Sequence, residues 1–198
     1  MFIFYYWPMP KLSKERRQQQ RQRIIDATVA MALERGIANV SMADIIKASG
    51  MSAGAIYGYF PSKEDVFLAM AEQVLRHRRM ALNDVMEQEV IPSPQELFPT
   101  MVYNLVESGA GLVLQVWGYA LGDERIREVV GGLLNEGLEA LEKYLAAWYR
   151  QEGREDMAAS AGELASAAFA MAQGMLVQNA IGGVDPTNIE LGLKKMLE

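Results

Sequence analysis

Residues 41–60 read SMADIIKASGMSAGAIYGYF, and their side chains suit one kind of partner. Ser41, Ser52, Tyr57 and Tyr59 carry hydroxyls, and Lys63 adds an ammonium just beyond. Together they are donors suited to phosphate oxygens. Between them lie Ala53, Gly54 and Ala55, which would let a backbone approach a partner closely. Two short helical patterns meet at Gly50, with Ile45, Ile46, Ala48, Met51 and Ile56 placed to hold them together. A helix, a tight Gly turn and a second helix make the helix-turn-helix signature, whose second helix enters the major groove of DNA. On this reading Ser41 and Met42 at the start of the first helix, Ser52 at the cap of the second, and Ala53, Gly54, Ala55, Tyr57, Tyr59 and Lys63 are the expected DNA contacts.

The run before it, KLSKERRQQQRQR, sets six basic residues against Glu15 alone. Next to a helix-turn-helix, a basic arm of this kind supplies sequence-independent affinity, so Arg16 and Arg17 are expected on phosphate or in the minor groove. Charge divides the chain in the same way. Residues 1–80 hold 12 Lys and Arg against 7 Asp and Glu, whereas residues 81–198 hold 7 against 18, within a net charge of −6. A basic first part joined to an acidic second part implies two tasks in one chain.

The elements that must position these residues are all helical. No stretch of the 198 residues alternates as a strand does, and helix punctuation is legible throughout. Ser41 with Asp44, Ser62 with Asp65, and Ser93 with Glu96 have capping-box spacing, and Gly36 and Gly50 stand where helices stop. The pattern predicts helices near 14–35, 41–48, 52–58, 62–89, 94–108, 111–121, 123–151, 157–181 and 187–197. It is thus an all-α chain. A tail over residues 1–10 (MFIFYYWPMP) precedes a DNA-binding domain over 11–61 and a larger helical domain over 62–198. The helix of 62–89 would join the two domains over about 40 Å.

Composition narrows the chemistry. There is no Cys and a single His, His77, so no disulfide framework, thiolate metal site or His-based triad can be built within one chain. No carboxylates cluster at an acid–base or metal-ligand spacing. The reading therefore names no catalytic residue, metal or cofactor, and a helical enzyme is its least favoured alternative. The small-residue segment 157–181 is interrupted by Glu163, Gln173, Gln178 and Asn179, and is expected to be a packed helix without membrane contact, in a cytoplasmic protein.

The run S-x-x-D-I-x-x-A-S-G-M-S-x-G-x-I-Y-x-Y-F-P-S-K-E-D resembles the DNA-binding domain of TetR-family transcriptional regulators, closely so from Arg23 to Phe67. The resemblance implies three DNA-binding helices followed by a helical ligand and dimer domain. It implies a repressor on a near-palindromic DNA operator, released by a small, largely apolar effector. It also implies a homodimer made through the helices near 123–151 and 157–181. Tyr103, Gln115, Trp117, Tyr144 and Gln173 are the expected ligand contacts. The alternative is a ligand-independent regulator whose second domain only dimerises or meets a partner. The chain departs from the family pattern at Ala55 and Gly58, where larger or polar side chains are common, so phosphate contacts and DNA shape would carry more of the specificity.

Overall fold

In the computed structural model, residues 13–107, 110–183, 187–188, 191–192 and 195 are described. Among them every element is helical. The order is α1 (Lys14–Arg35), a single 3₁₀ turn (Ile37–Asn39), α2 (Met42–Ser49), α3 (Ala53–Tyr59), α4 (Lys63–Met86), α5 (Pro94–Glu107), α6 (Ala110–Gly122), α7 (Glu124–Gln151), α8 (Glu155–Ala159) and α9 (Ala161–Gly182). Residues 1–10 and most of the expected helix over 187–197 lie outside the described residues.

The expected caps account for the helix starts. Ser41 accepts from the Asp44 N–H while Asp44 accepts from the Ser41 N–H, and Ser62 and Asp65 repeat the arrangement at α4. Each box satisfies donors that a helix leaves unpaired in its first turn. Gly50 ends α2 in the left-handed region (φ 67°), and this reversal sends the chain into α3. The 3₁₀ turn after Gly36 and a break near Ser160 depart from the expected segmentation, so the single helix foreseen over 157–181 is two pieces. Residues Ser160 to Glu163 carry the S-x-x-E spacing that could have signalled a restart, yet Ser160 makes no side-chain cap.

Packing follows the apolar stripes. One continuous cluster buries Ile24 and Ile25 of α1, Ile37, Ile45 of α2, Ile56 of α3, Phe60, and Val66 to Ala71 of α4. The same cluster takes in Leu112, Val116 and Ala120 of α6 and Ile126 and Val130 of α7. The first turns of α4 thus belong to the core beneath α1–α3, and α6 closes that core from the other side. A second cluster joins Leu82, Phe98, the end of α7, Ala158, Ala161 and Ala165. A third and smaller one lies among α5, α6 and α9 around Val102 and Leu176. The central packing partner is α7, which lies against α4, α6, α8 and α9.

Candidate nucleic-acid interface

The short helix α3 projects from the core on one buried side chain, Ile56. Its opposite side is open: Ser52, Ala53, Gly54, Tyr57 and Gly58 are exposed and Ala55 half-buried. The Ser52 hydroxyl accepts from the Ala55 N–H, which caps the helix and leaves the O–H free to donate outward. Tyr57 keeps half of its surface in solvent. Ser52, Ala53, Gly54, Ala55 and Tyr57 are therefore brought together on one accessible face.

Other expected contacts sit differently. The Tyr59 hydroxyl donates to Gln20 Oε1 at 2.6 Å, so its one proton is committed to α1. The Arg17 guanidinium lies 5.7 Å from the Tyr59 ring, and that of Arg21 lies 5.2 Å from the Phe60 ring. These contacts draw the basic start of α1 beside the end of α3, with Arg16 and Arg17 exposed at its edge. Sequence reasoning missed this tie, although Gln20 stood within the basic run.

Ser41 is engaged twice, accepting from the Asp44 N–H and donating to Asp44 Oδ2 at 2.5 Å. Its part is to start α2, beside the half-buried Met42. Those hydrogen bonds from Ser41 hold the Asp44 carboxyl below its usual value, with a smaller effect from Arg35. Lys63 is half-buried, and its ammonium lies 5.9 Å from the rings of both Phe67 and Tyr119. It is thus directed at α6 rather than along the open face of α3.

The junction between α1–α3 and the rest is polar at two points. Gln115 of α6 accepts from the Ile37 N–H at 2.5 Å. Gly36 makes room for it: its φ is 82°, and a Cβ there would sit 3.3 Å from Gln115 Oε1. Arg125, at the start of α7, donates to Asp65 at 2.5 Å. Burial raises the Asp65 pKa, but the Ser62 hydrogen bond and Arg125 together outweigh it and leave the group below its usual value.

The expected ligand residues separate into three environments. Tyr144 is fully buried, with its hydroxyl donated to the Pro92 carbonyl at 2.7 Å and its ring edge-on to Phe98, so it is core. Gln115 holds Ile37. Trp117 packs against both the core under α1–α3 and the small cluster at α5, α6 and α9. Tyr103 is half exposed beside Val102, and Gln173 is half-buried on α9. Among the described residues no group of three or more His, Cys, Asp or Glu side chains could hold a metal ion.

The sequence pattern of the bacterial regulatory proteins of the tetR family matches residues 24–70, the segment that builds α1 to α3 and the first turns of α4. The chain belongs to the TetR family. It is a DNA-binding transcriptional regulator and not an enzyme. The TetR chain is 30% identical over 134 residues to the nucleoid occlusion factor SlmA of Glaesserella parasuis, a match spanning 66% of this chain and 65% of that protein. It is 26% identical over 132 residues to an HTH-type transcriptional regulator of Mycobacterium tuberculosis, across 65% of this chain and 67% of the relative. The chain thus spans about two thirds of these relatives' length. The fold is similar to that of a TetR transcription regulator from Haloarcula marismortui, with a TM-score of 0.75, 17% identity and coverage of 91% and 95% of the two chains.

Proposed function

We propose that this TetR-family regulator is a cytoplasmic repressor that binds a near-palindromic operator as a homodimer. A small, largely apolar molecule bound between α5, α6 and α9 would release it. The position of α6 carries this reading. Val113 and Trp117 belong to the α5–α6–α9 cluster, where Val102 and Leu176 are buried and Met171 and Met175 are partly open. Apolar walls with incomplete burial are what a ligand site of this kind requires. Leu112, Val116 and Gln115 of the same helix hold the core and the backbone beneath α1–α3. A molecule that moves α6 therefore moves the DNA-binding helices, and linkage makes operator and ligand compete if they favour different positions of α6. Tyr103 and Gln173 border the cluster and are its proposed polar contacts.

The proposed dimer uses α9 and α7. Glu163, Ala167, Ala170, Gly174, Val177, Gln178 and Ile181 fall on one exposed stripe of α9, mostly of small or apolar residues that let a second helix come close. By length and composition α9 could also cross a membrane. Its packing on α7, α6 and α5 is that of a helix within the bundle instead. Two-fold symmetry would then present two α3 helices to successive major grooves, about 34 Å apart. On the DNA side, Ser52 and Tyr57 would donate to phosphates, Arg16 and Arg17 would follow the backbone, and Met42 would lie at the edge of the contact.

One observation favours the alternative, in which the second domain only dimerises or meets a partner: the polar groups of Gln115 and Tyr144 already have protein partners. A Trp7→Phe, Trp148→Phe variant separates the two readings, because Trp117 then reports alone on the cluster. Titration with a panel of apolar metabolites is expected to change its fluorescence and to release the operator over the same concentration range. Unchanged operator affinity across the panel would point to the alternative.

A further inference from the structure

The open face of α3 is chemically narrow. The helix consists of Ala53, Gly54, Ala55, Ile56, Tyr57, Gly58 and Tyr59. Ile56 is buried and the Tyr59 proton is given to Gln20. What faces outward is two methyl groups, one phenol and two positions with no side chain. Bidentate readout in the major groove needs Arg or Lys on guanine, or Asn or Gln on adenine, and α3 has none of these.

The glycines sharpen the point. A Cβ added at Gly54 or Gly58 would meet no heavy atom within 4 Å, and neither has a positive φ. Among the described residues nothing calls for glycine at either position, although glycine weakens a helix. The space it leaves opens outward, onto whatever lies against the helix.

We infer that α3 reads its DNA site by methyl contact and groove shape. Ala53 and Ala55 meet thymine C5-methyl groups, Gly54 and Gly58 let the helix backbone sit against the groove wall, and no purine N7 is contacted from this helix. The half-sites are accordingly rich in A·T pairs, with their sequence-dependent shape adding to the selection. This inference rests on the DNA-binding reading above and deepens it.

The test uses the full chain and an operator selected from a random DNA pool. One version replaces thymine by uracil in the half-sites, removing the methyl groups alone. Another replaces purines by their 7-deaza analogues, removing the N7 acceptor alone. Uracil is expected to weaken binding about fourfold for each methyl that α3 buries, whereas the deaza version binds within about twofold of the parent. A loss of about tenfold or more with 7-deazapurine, the size expected for a broken bidentate pair, together with full binding of the uracil version, would overturn the inference while leaving DNA recognition intact. Selection of no preferred sequence would overturn both. Gly54→Ala gives a second readout: its melting temperature should equal or exceed that of the parent while operator affinity falls about tenfold. Parent-like affinity in both Gly54→Ala and Gly58→Ala would contradict the close approach.

Discussion

Replacing Gln115 by Ala removes the acceptor of a backbone N–H in the packed junction. Ile37 is fully buried, and its N–H donates to Gln115 Oε1 at 2.5 Å. Leaving a buried donor unmade costs about 1–3 kcal/mol. For a chain of this size, 1 kcal/mol corresponds to about 2–4 °C in melting temperature, so a loss near 2 kcal/mol lowers it by about 4–8 °C. Gln115→Glu keeps an oxygen in the same place and should lose less. Stability alone does not show that the bond ties α6 to the DNA-binding helices, so the decisive assay is hydrogen exchange resolved by residue. In Gln115→Ala amides in the middle of α7 are expected to exchange faster by no more than the global loss of stability, about 5–150-fold for 1–3 kcal/mol, and the Ile37 amide by more than they do. A variant that melts with the parent and exchanges normally at Ile37 would refute the reasoning.

Further outcomes are expected elsewhere. Arg16→Ala with Arg17→Ala removes four side chains from a dimer and should reduce the slope of log binding constant against log salt by about 3.6, since each phosphate contact contributes about 0.9; an unchanged slope would remove both residues from the backbone contact. Gly174→Glu sets a charge in the exposed stripe of α9 and should convert a particle of twice 22.0 kDa to one of 22.0 kDa by sedimentation, with α-helix content kept. For Asp65, the folded pKa lies below its usual value of 3.8, so the stability it contributes is present above that value and is lost as pH falls through the folded pKa. Asp65→Asn should therefore melt below the parent at pH 7 by the modest amount expected of a partly exposed pair, and the gap should narrow below pH 3.8.

The local logic of the fold was legible because it is written in short spacings. Ser41 and Asp44, Ser62 and Asp65, and Ser93 and Glu96 lie three residues apart, and a capping box needs nothing further away. Gly36 and Gly50 announced their positive φ for the same reason. What escaped were pairs set by tertiary packing. Gln115 reaches Ile37 across 78 positions, Tyr59 reaches Gln20 across 39, and Tyr144 reaches Pro92 across 52. In the sequence each looked like a polar group in search of a ligand or a phosphate, because composition cannot reveal that a backbone carbonyl, an amide or a neighbouring side chain already satisfies it. Lys63 shows the limit from the other side. Its place at a helix start suggested phosphate, whereas the rings of Phe67 and Tyr119 attract it toward α6. The glycines of α3 were the reverse case, since Gly54 and Gly58 are poor helix formers whose open surroundings show that the fold does not need them.

Selection of bound DNA from a random pool by the purified full chain, scored by the symmetry of the recovered sequences, tests the central claim most directly. Recovery of a near-palindrome whose half-sites are about one helical turn of DNA apart, or a multiple of it, is the predicted result. Recovery of no preferred sequence, or of a single half-site with no symmetry mate, would contradict recognition by a two-fold pair of α3 helices.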